Sequence, residues 1–569
     1  MNVQAAFFAL GIARKTGLPV VLICTSGTAG ANFYPAIIEA RESRIPLLVL
    51  SADRPPEMRD CHSGQTIDQV KLYGNYPNWQ AELAVPSVEL GMVNYLRQTV
   101  SYAWERTLFP VPGTVHLNIP FRDPLAPLPQ SDTDTLESQL QLEDFFANIT
   151  SFYPPSLTPS HPHFQAWQQC EQGMIIAGPA QPQNPREYCE AIAQLSTTLK
   201  WPVLAEGLSP VRNYWELNPY LISTYDLILR NRELAQQLTP KMVINLGELP
   251  ISKELRNWLD ETQPLRWIID PSNHNLDPLH GKTIHLRMSV EQLVSFPPFA
   301  NGGEVGEAGE GENLTFGKGG LERDNFPNSS IPIPNLPPPY QGGEKIANRS
   351  YLQKWCEVEE KVRSAVDQKM TTMSEMFEGK TAWLLSQFLP PETPLFIANS
   401  MPVRDVEFFG KPNNTGVRPF FNRGANGIDG TLSTALGIAH RHQSSVMLTG
   451  DLALLHDTNG FLLRNKFVGH LTIVLINNNG GGIFEMLPIS KFEPPFEEFF
   501  ATPQNINFAQ LCITYGVKHQ LIETWEQLTQ LLNPLPTQGI RVLELQTNRK
   551  ADANWRQEYL GKFAAGISG

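Results

Sequence analysis

Two side chains that could bind a metal ion stand in the last third of the sequence, each shortly after an apolar run. Asp451 follows the run 445–449, and Asn478 follows the run 471–476, 27 residues further along. That interval fits a strand end, a crossover helix and the next parallel strand, so we expect both side chains at the same edge of a sheet. Carboxylate and amide oxygens are ligands that suit Mg²⁺, which commonly keeps a phosphate oxygen as a further ligand.

Three consecutive glycines at 480–482 add a second chemical feature to this stretch. Glycines let the backbone come close to a phosphate and present its N–H and C=O groups. Taken alone, the glycine run is typical of an ordinary loop, and Asp451 alone is typical of a helix N-cap. Because both features follow neighbouring strands, together they predict a site for Mg²⁺ and a diphosphate.

Three groups of apolar runs indicate the elements that position these side chains. Each run has the length of a strand buried on both faces of a parallel sheet, and helical segments separate many of the runs. The groups are 19–24, 46–51 and 113–119; then 173–179, 202–205, 242–247, 267–270 and 285–286; then 394–399, 445–449, 471–476 and 541–545. This alternation predicts an α/β protein with three doubly wound parallel sheets.

Composition divides the chain between these groups. We expect a first domain over 1–135, a Pro- and Ser-rich linker over 136–165 and a central domain over 166–296. Residues 297–345 are rich in Gly, Glu, Asn and Pro without a hydrophobic period, which predicts a disordered or extended insertion. The last domain takes 346–569 and begins with a charged helix at about 350–376.

Charge and hydropathy exclude some classes of function. The 569 residues carry 44 basic and 57 acidic side chains, a net charge of −13, whereas nucleic acids and anionic membranes attract surplus Lys and Arg. No apolar run approaches the ~18 residues of a membrane-spanning helix. The six cysteines are scattered without a close pair, which favours a reducing compartment. We therefore expect a cytoplasmic protein that binds neither nucleic acid nor membrane.

The Gly-Asp pair at 450–451, followed at this interval by Asn-Asn at 477–478, resembles the diphosphate and Mg²⁺ motif of the thiamine-diphosphate enzymes. The resemblance implies a pyrimidine-binding domain at 1–135, a central domain and a diphosphate-binding domain at 346–569. Within that superfamily, the sequence resembles the 2-succinyl-5-enolpyruvyl-6-hydroxy-3-cyclohexene-1-carboxylate synthase family of menaquinone and phylloquinone biosynthesis. The stretches that carry this closer resemblance are 25–29, 51–57, 64–67, 116–121, 399–405, 422–430 and 477–484.

The resemblance implies a transferase that uses thiamine diphosphate and Mg²⁺, with Mn²⁺ as an alternative metal. Enzymes of that family decarboxylate 2-oxoglutarate and add the resulting succinyl carbanion to isochorismate, with the cofactor as electron sink. The metal ligands carried over are Asp451, Asn478 and the carbonyl group of Gly480. The cofactor contacts carried over are Ser26, Ile428 as the apolar wedge, Asp451, Leu452, Asn478, Ile483 and Phe484.

Both substrates of that family are polyanions, so its site needs cations despite the acidic composition. Arginine offers a two-pronged donor for a carboxylate, although a single arginine is more typical of a surface ion pair. The catalytic residues carried over are Gln65, Arg404 and Arg423. The substrate contacts carried over are Arg54, Lys253 and Ser400, and Glu254 stands where a second basic residue would follow Lys253.

The beginning of the sequence departs from the family. The spacing of Ala6, Leu10 and Ala13 predicts a helix there, which Asn2 could cap. The resemblance places the family's catalytic glutamate at Asn2, and an amide cannot exchange a proton as a carboxylate does. We therefore expect that the first domain is truncated at its N-terminus and that the working protein starts upstream. A native protein with the mass of this sequence would contradict that expectation.

Two alternatives for the function stay open at this point. One is another decarboxylating thiamine-diphosphate enzyme, such as an acetohydroxyacid synthase, which would not need three substrate arginines. The other is a non-catalytic chain that binds the cofactor, because Asn2 replaces the glutamate. The superfamily pairs the pyrimidine domain of one subunit with the diphosphate domain of another, so the resemblance implies at least a homodimer. A tetramer stays an alternative, and the end product is either menaquinone or phylloquinone.

Overall fold

The structure, a computed structural model, describes residues 1–123, 136, 145, 164–295 and 350–567. The predicted linker at 136–165 lies outside the described residues except at positions 136, 145, 164 and 165. The predicted insertion at 297–345 lies outside them entirely.

The secondary structure alternates between helices and strands along the described chain. The helices are α1 (Asn2–Thr16), α2 (Thr28–Ala31), α3 (Tyr34–Glu42), α4 (Leu90–Leu108), α5 (Phe164–Gln168), α6 (Pro185–Leu199), α7 (Tyr225–Leu229), α8 (Arg232–Gln237), α9 (Lys253–Thr262), α10 (Val290–Val294), α11 (Tyr351–Thr372), α12 (Glu378–Phe388), α13 (Met401–Phe409), α14 (Thr431–Ala439), α15 (Asp451–His456), α16 (Phe508–Tyr515), α17 (Trp525–Leu532) and α18 (Arg549–Tyr559). The strands are β1 (Val20–Cys24), β2 (Leu47–Asp53), β3 (Trp79–Glu82), β4 (Thr114–Pro120), β5 (Gly173–Ala177), β6 (Val203–Ala205), β7 (Leu221–Ile222), β8 (Met242–Leu246), β9 (Leu265–Ile269), β10 (Thr283–Leu286), β11 (Pro394–Ile397), β12 (Arg418–Phe420), β13 (Ser445–Gly450), β14 (His470–Asn477), β15 (Lys518–Leu521) and β16 (Gly539–Gln546). Among these described helices, none has both the length and the apolar character needed to cross a membrane.

The strands form three sheets in which every pair of neighbours runs parallel. The strand orders are β1-β2-β4-β3, β10-β9-β8-β5-β6-β7 and β12-β11-β13-β14-β16-β15. This confirms the predicted α/β class with three parallel sheets. The sheets lie within the predicted segments 1–135, 166–296 and 346–569, whose boundaries stay predictions.

Four strands are not predicted by the apolar runs: β3, β7, β12 and β15. Each of them lies at an edge of its sheet. β15 has the sequence KHQL and is mostly exposed, whereas the interior strand β14 is buried at seven of its eight positions. Strand β3 is also partly exposed, and β7 and β12 are only two and three residues long, so none of the four has the continuous apolar run of a strand buried on both faces.

Helix α1 begins where the sequence predicts, but the predicted cap is wrong. Met1 takes the N-cap position, and no side chain caps the helix. The helix crosses α14 at two glycines. A Cβ added to Gly11 would lie 2.1 Å from the Thr434 carbonyl oxygen, and one added to Gly437 would lie 2.1 Å from the Phe8 carbonyl oxygen. The two backbones are therefore in contact, which holds the first α/β unit against the third.

Helix α11 packs between the second and third sheets. Its buried side chains recur every three to four residues, which makes one face of the helix apolar. These side chains are Trp355, Val358, Val362, Val366 and Met370. They share one buried cluster with residues of both sheets, among them Ile176, Val243, Leu448 and Val474. The helix that the sequence predicts as charged therefore joins two units through its apolar face.

His116 lies inside the first sheet, on β4. Its Nε2 atom is 2.7 Å from Ser51 Oγ, and its ring packs edge-on against Tyr73 with 4.8 Å between the ring centroids. Burial lowers the pKa of His116 to about 4, because a buried imidazolium loses its hydration.

Acidification from pH 7.5 to 5.5 is expected to destabilise the protein through His116. An unfolded histidine has a pKa of about 6.5, so below that pH the unfolded chain binds a proton that the folded imidazole takes up only near pH 4. The stabilisation of the folded protein by neutral His116 is fully present above about pH 6.5. It is lost as the pH falls, and the free energy of unfolding decreases by about 1.4 kcal/mol at pH 5.5. Denaturant unfolding of the protein and of His116→Gln at both pH values measures it. Between pH 7.5 and 5.5, His116→Gln should lose about 1.4 kcal/mol less unfolding free energy than the unchanged protein. Equal losses in the two proteins would contradict the prediction.

Candidate active site

A cavity of about 440 Å³ opens at the carboxyl edge of the third sheet. Its walls come from the segments that follow β11, β13 and β14 and from the loop before α14. Gly450 pairs with Ile476 in the sheet, so the chain leaves β13 and β14 at the same level. Ten predicted site residues line the cavity: Ser400, Arg404, Arg423, Ile428, Asp451, Leu452, Asn478, Gly480, Ile483 and Phe484.

Asp451 is the first residue of α15 and is 5% exposed. Its carboxylate accepts the N–H of Leu452 at 2.9 Å and the N–H of Gly480 at 2.8 Å, which connects the end of β13 to the glycine loop after β14. Burial raises the pKa of Asp451 to about 6, and the N–H donors offset part of that shift. At neutral pH the side chain is therefore a desolvated carboxylate that a cation would stabilise.

Asn478 has an amide oxygen without a partner. Its Nδ2 donates to Glu378 Oε1 at 2.6 Å, whereas its buried Oδ1 has no hydrogen-bond partner in the described part of the chain. Buried polar atoms are nearly always hydrogen-bonded, so an orphaned oxygen on a cavity wall indicates the place of a ligand.

The glycine loop is fixed from the side away from the cavity. Gly480 has φ +140°, and a Cβ there would lie 2.4 Å from the Ala501 carbonyl oxygen, so glycine is required. The same carbonyl accepts the N–H of Gly481 at 2.7 Å. The Gly480 carbonyl oxygen accepts the N–H of Gly482 at 2.9 Å, which leaves a second lone pair for a further ligand.

This donor set fits Mg²⁺ bound together with a phosphate group. Carboxylate, amide and carbonyl oxygens are hard donors, as Mg²⁺ requires. Across residues 1–123, 164–295 and 350–567, no cluster of three or more His, Cys, Asp or Glu side chains could hold a metal by itself. A metal at Asp451 and Asn478 would complete its shell with phosphate or water oxygens, which is the usual arrangement for Mg²⁺.

Two arginines line the same cavity. Arg404 donates from Nη1 to the Ser400 carbonyl oxygen at 2.7 Å, and Arg423 donates from Nη1 to Asn399 Oδ1 at 2.9 Å. Neither guanidinium forms an ion pair with another described residue. Burial lowers the pKa of Arg404 to about 10, and burial lowers the pKa of Arg423 as well. Both stay cationic at neutral pH, so the cavity presents two positive charges to an anionic ligand.

The other predicted residues do not line this cavity: Ser26, Arg54, Gln65 and Lys253. Three of them lie at the carboxyl edge of the first sheet, where Gln65 Nε2 donates to the Ser26 carbonyl oxygen at 2.9 Å. The buried Ser26 hydroxyl has no hydrogen-bond partner among the described residues. Lys253 begins α9 and is exposed. A single chain therefore contains two groups of candidate residues, one at the first sheet and one at the third, and Lys253 lies in the second α/β unit.

Sequence reasoning misses three side chains that hold the cavity walls: Glu39, Glu378 and Asn399. Glu39 is 3% exposed and accepts the backbone N–H groups of Gly424 at 3.1 Å and Ala425 at 2.7 Å. Asn399 donates to the carbonyl oxygens of residues 422 and 427. Glu39 and Ala425 are 386 residues apart, so spacing carries no signal for this contact. For Asn399, the resemblance at 399–405 is a signal, although it does not assign a role.

Two protein-family models match the chain. "Thiamine pyrophosphate enzyme, N-terminal TPP binding domain" matches residues 2–72, and "Middle domain of thiamine pyrophosphate" matches residues 141–302. Curated relatives match nearly the whole chain. A protein from Nostoc sp. is 64% identical over 99% of this chain and 89% of its own length, and one from Gloeothece citriformis is 61% identical over 99% and 90%. Both are named 2-succinyl-5-enolpyruvyl-6-hydroxy-3-cyclohexene-1-carboxylate synthase, which favours that family over the acetohydroxyacid synthases.

Solved structures show the same fold at low sequence identity. The thiamine diphosphate-dependent 4-hydroxybenzoylformate decarboxylase of Rhodococcus jostii matches with a TM-score of 0.63 and 14% identity, over 96% of this chain and 91% of that one. A putative thiamin diphosphate-dependent enzyme from Mycobacterium smegmatis matches with a TM-score of 0.58 and 15% identity, over the same shares of each chain. The arrangement of the three parallel sheets is therefore shared beyond the close relatives.

Proposed function

Since the chain belongs to the thiamine-diphosphate-dependent 2-succinyl-5-enolpyruvyl-6-hydroxy-3-cyclohexene-1-carboxylate synthases, we propose that it decarboxylates 2-oxoglutarate and adds the succinyl carbanion to isochorismate. The product would be the compound that gives the family its name, on the way to menaquinone or phylloquinone. One structural observation carries the proposal furthest: a single cavity combines the oxygen donors of Asp451 and Asn478 with the guanidinium groups of Arg404 and Arg423.

In this proposal the cofactor occupies the cavity at the third sheet. Asp451, Asn478 and the Gly480 carbonyl would hold Mg²⁺ or, as the alternative, Mn²⁺, and the orphaned Asn478 oxygen supports this assignment. When bound, thiamine diphosphate supplies the carbon nucleophile and the electron sink that loss of CO₂ from a 2-oxo acid requires. Ile428, Leu452, Ile483 and Phe484 line the cavity and would provide its apolar contacts.

The substrates carry several carboxylates, and the cations of the cavity are assigned to them. Arg404 and Arg423 are half-buried and positively charged, so each would bind a carboxylate with charge-assisted hydrogen bonds. Ser400 lies beside Arg404 on the cavity wall. Arg54 and Lys253 are assigned as further substrate contacts, and Gln65 as the residue that hydrogen-bonds the reacting substrate.

A second copy of the chain would bring the two groups of candidate residues together. Ser26, Arg54 and Gln65 lie at the first sheet and do not line the cavity at the third, so one chain alone leaves the site divided. We therefore assign at least a homodimer, in which the first sheet of one subunit faces the third sheet of the other. A tetramer of two such dimers stays an alternative.

The cytoplasm is the compartment that fits the cysteines. All six lie in the described residues, and none forms a disulfide. Reduced thiols are typical of proteins that act in a reducing compartment.

A decarboxylation assay tests the proposed function. The protein purified from its own cells is supplied with thiamine diphosphate, Mg²⁺, 2-oxoglutarate and isochorismate, and CO₂ and the adduct are measured. We expect both products, and neither when cofactor or metal is left out. Pyruvate in place of 2-oxoglutarate is the control for the acetohydroxyacid synthase alternative. Product from pyruvate alone, or no CO₂ from 2-oxoglutarate, would contradict the proposal.

A further inference from the structure

We propose that Glu378 is a positioning residue for the metal site: its carboxylate orients the Asn478 amide so that Oδ1 faces the cavity. The inference deepens the proposed function and rests on its metal site. Glu378 itself lines the cavity and is 3% exposed. Its role differs from that of a ligand, because it acts on the metal through Asn478.

The contact between the two side chains permits one orientation of the amide. Glu378 Oε1 lies 2.6 Å from Asn478 Nδ2 and, as a carboxylate oxygen, can only accept a hydrogen bond. A flipped amide would place two oxygens against each other at that distance. The Nδ2 group therefore stays on the Glu378 side, and the orphaned Oδ1 is left for a cation.

Glu378 is held in place by three further contacts. Its Oε2 accepts from Arg556 Nη2 at 2.8 Å, and its backbone N–H donates to Asp552 Oδ2 at 3.1 Å. The Thr547 hydroxyl donates to Oε1 at 3.4 Å. Because the carboxylate cannot turn away, the direction of the Asn478 amide is set before any ligand arrives.

The same buried arginine also reaches the substrate side of the cavity. Arg556 Nη2 donates to both carboxylate oxygens of Asp405, at 2.7 and 2.8 Å. Asp405 lies on α13 next to Arg404, and α13 begins directly after Ser400. Arg556, on the C-terminal helix α18, thus connects the Asn478 side of the site with the helix that presents the substrate arginine.

Glutamine at position 378 would present a hydrogen-bond donor to Asn478 in place of an acceptor. Gln offers one oxygen and one NH₂ group, and Arg556 requires the oxygen. The glutamine NH₂ group would then face Asn478. The Asn478 amide would flip, so that its Oδ1 turns toward residue 378 and its Nδ2 toward the cavity. An NH₂ group cannot ligate a cation, and the metal would lose one of its ligands.

Calorimetric titration of Mg²⁺ into the full chain with thiamine diphosphate present tests the inference. We expect Glu378→Gln to weaken Mg²⁺ binding by about 10- to 100-fold, the range for residues that orient a metal ligand. The exposed Glu375→Gln, three residues away, is the matched control and should bind as the parent protein does. Binding by Glu378→Gln within about threefold of the parent, a change well below that range, would overturn the inference.

A compensating substitution separates orientation from general damage. In Glu378→Gln/Asn478→Asp, the Gln NH₂ would donate to one carboxylate oxygen of residue 478 and leave the other facing the cavity. We expect the double variant to bind Mg²⁺ more tightly than Glu378→Gln alone, which a merely structural role of Glu378 would not produce. An affinity no better than that of the single variant would count against orientation.

Two measurements keep the outcomes distinct. Thermal unfolding without cofactor shows whether Glu378→Gln folds. If it does not, Glu378→Asp is the second variant, because it keeps the charge beside Arg556 and withdraws the acceptor from Asn478. Weaker Mg²⁺ binding is again expected. Unaltered Mg²⁺ binding by Glu378→Asp would then overturn the inference. Asp451→Ala tests the metal site itself. If this variant keeps its Mg²⁺ affinity, the proposed metal site is wrong. If Asp451→Ala loses Mg²⁺ affinity while Glu378→Gln keeps it, the metal site stands and only the positioning role is refuted.

Discussion

Replacing Asp451 with alanine is expected to abolish the Mg²⁺-dependent binding of thiamine diphosphate. The carboxylate is the one charged ligand of the proposed metal site, and it also accepts the N–H of Gly480 at 2.8 Å, so the glycine loop loses its anchor together with the metal. The loss should exceed the roughly 100-fold that marks the upper range for residues acting through a ligand. Calorimetric titration of the cofactor, once with Mg²⁺ and once with a chelator, measures cofactor affinity with and without the metal.

Asp260→Ala is the matched control for this variant. Asp260 is exposed on α9, in the central unit and away from the cavity. Its removal should leave cofactor affinity unchanged. If Asp451→Ala bound the cofactor with the affinity of Asp260→Ala, the assignment of the metal ligands would be wrong.

Replacing Arg556 with methionine is expected to destabilise the folded protein by about 3–5 kcal/mol, the range for removing one partner of a buried ion pair. Arg556 is 2% exposed and lies against Asp405 and Glu378, at 2.7 and 2.8 Å. Burial alone would lower the pKa of Arg556, but the charges of Asp405, Glu378 and Asp552 raise it above its usual value. Burial raises the pKa of Asp405 and of Asp552, which shows that these carboxyls are already short of solvation.

Arg186→Met makes the same chemical change at the surface. Arg186 pairs with Glu190 one turn away on α6, and both side chains are more than half exposed. Such a pair contributes at most about 0.5 kcal/mol. Denaturant unfolding of the two variants should therefore differ severalfold in the loss of stability. Similar losses would show that the cluster around Arg556 contributes no more than a surface pair.

The sequence predicts those elements of the fold whose burial requires a recognisable apolar pattern. Interior strands such as β14 are covered on both faces, so their sequences are continuous apolar runs that predict them directly. Strands β3 and β15 lack such a run because they are partly exposed, whereas β7 and β12 are only two and three residues long, too short for an apolar run to indicate them. The start of α1 shows a similar limit: the apolar spacing predicts the helix, but the backbone around Met1, and not the Asn2 side chain, decides how it begins.

The order of residues along the chain is enough to place Asp451 and Asn478 at one edge of a parallel sheet, because a strand, a crossover and the next strand return the chain to the same level. Through resemblance it also indicated the cofactor and the residues that would contact it. The surroundings of these residues, in contrast, depend on how distant parts of the folded chain pack together. Glu378 lies 100 residues before Asn478 and 178 before Arg556, and no local period connects them. The tertiary structure also separated Ser26, Arg54 and Gln65 from the cavity, because a contact between units depends on how packed surfaces meet and not on the order of residues along the chain.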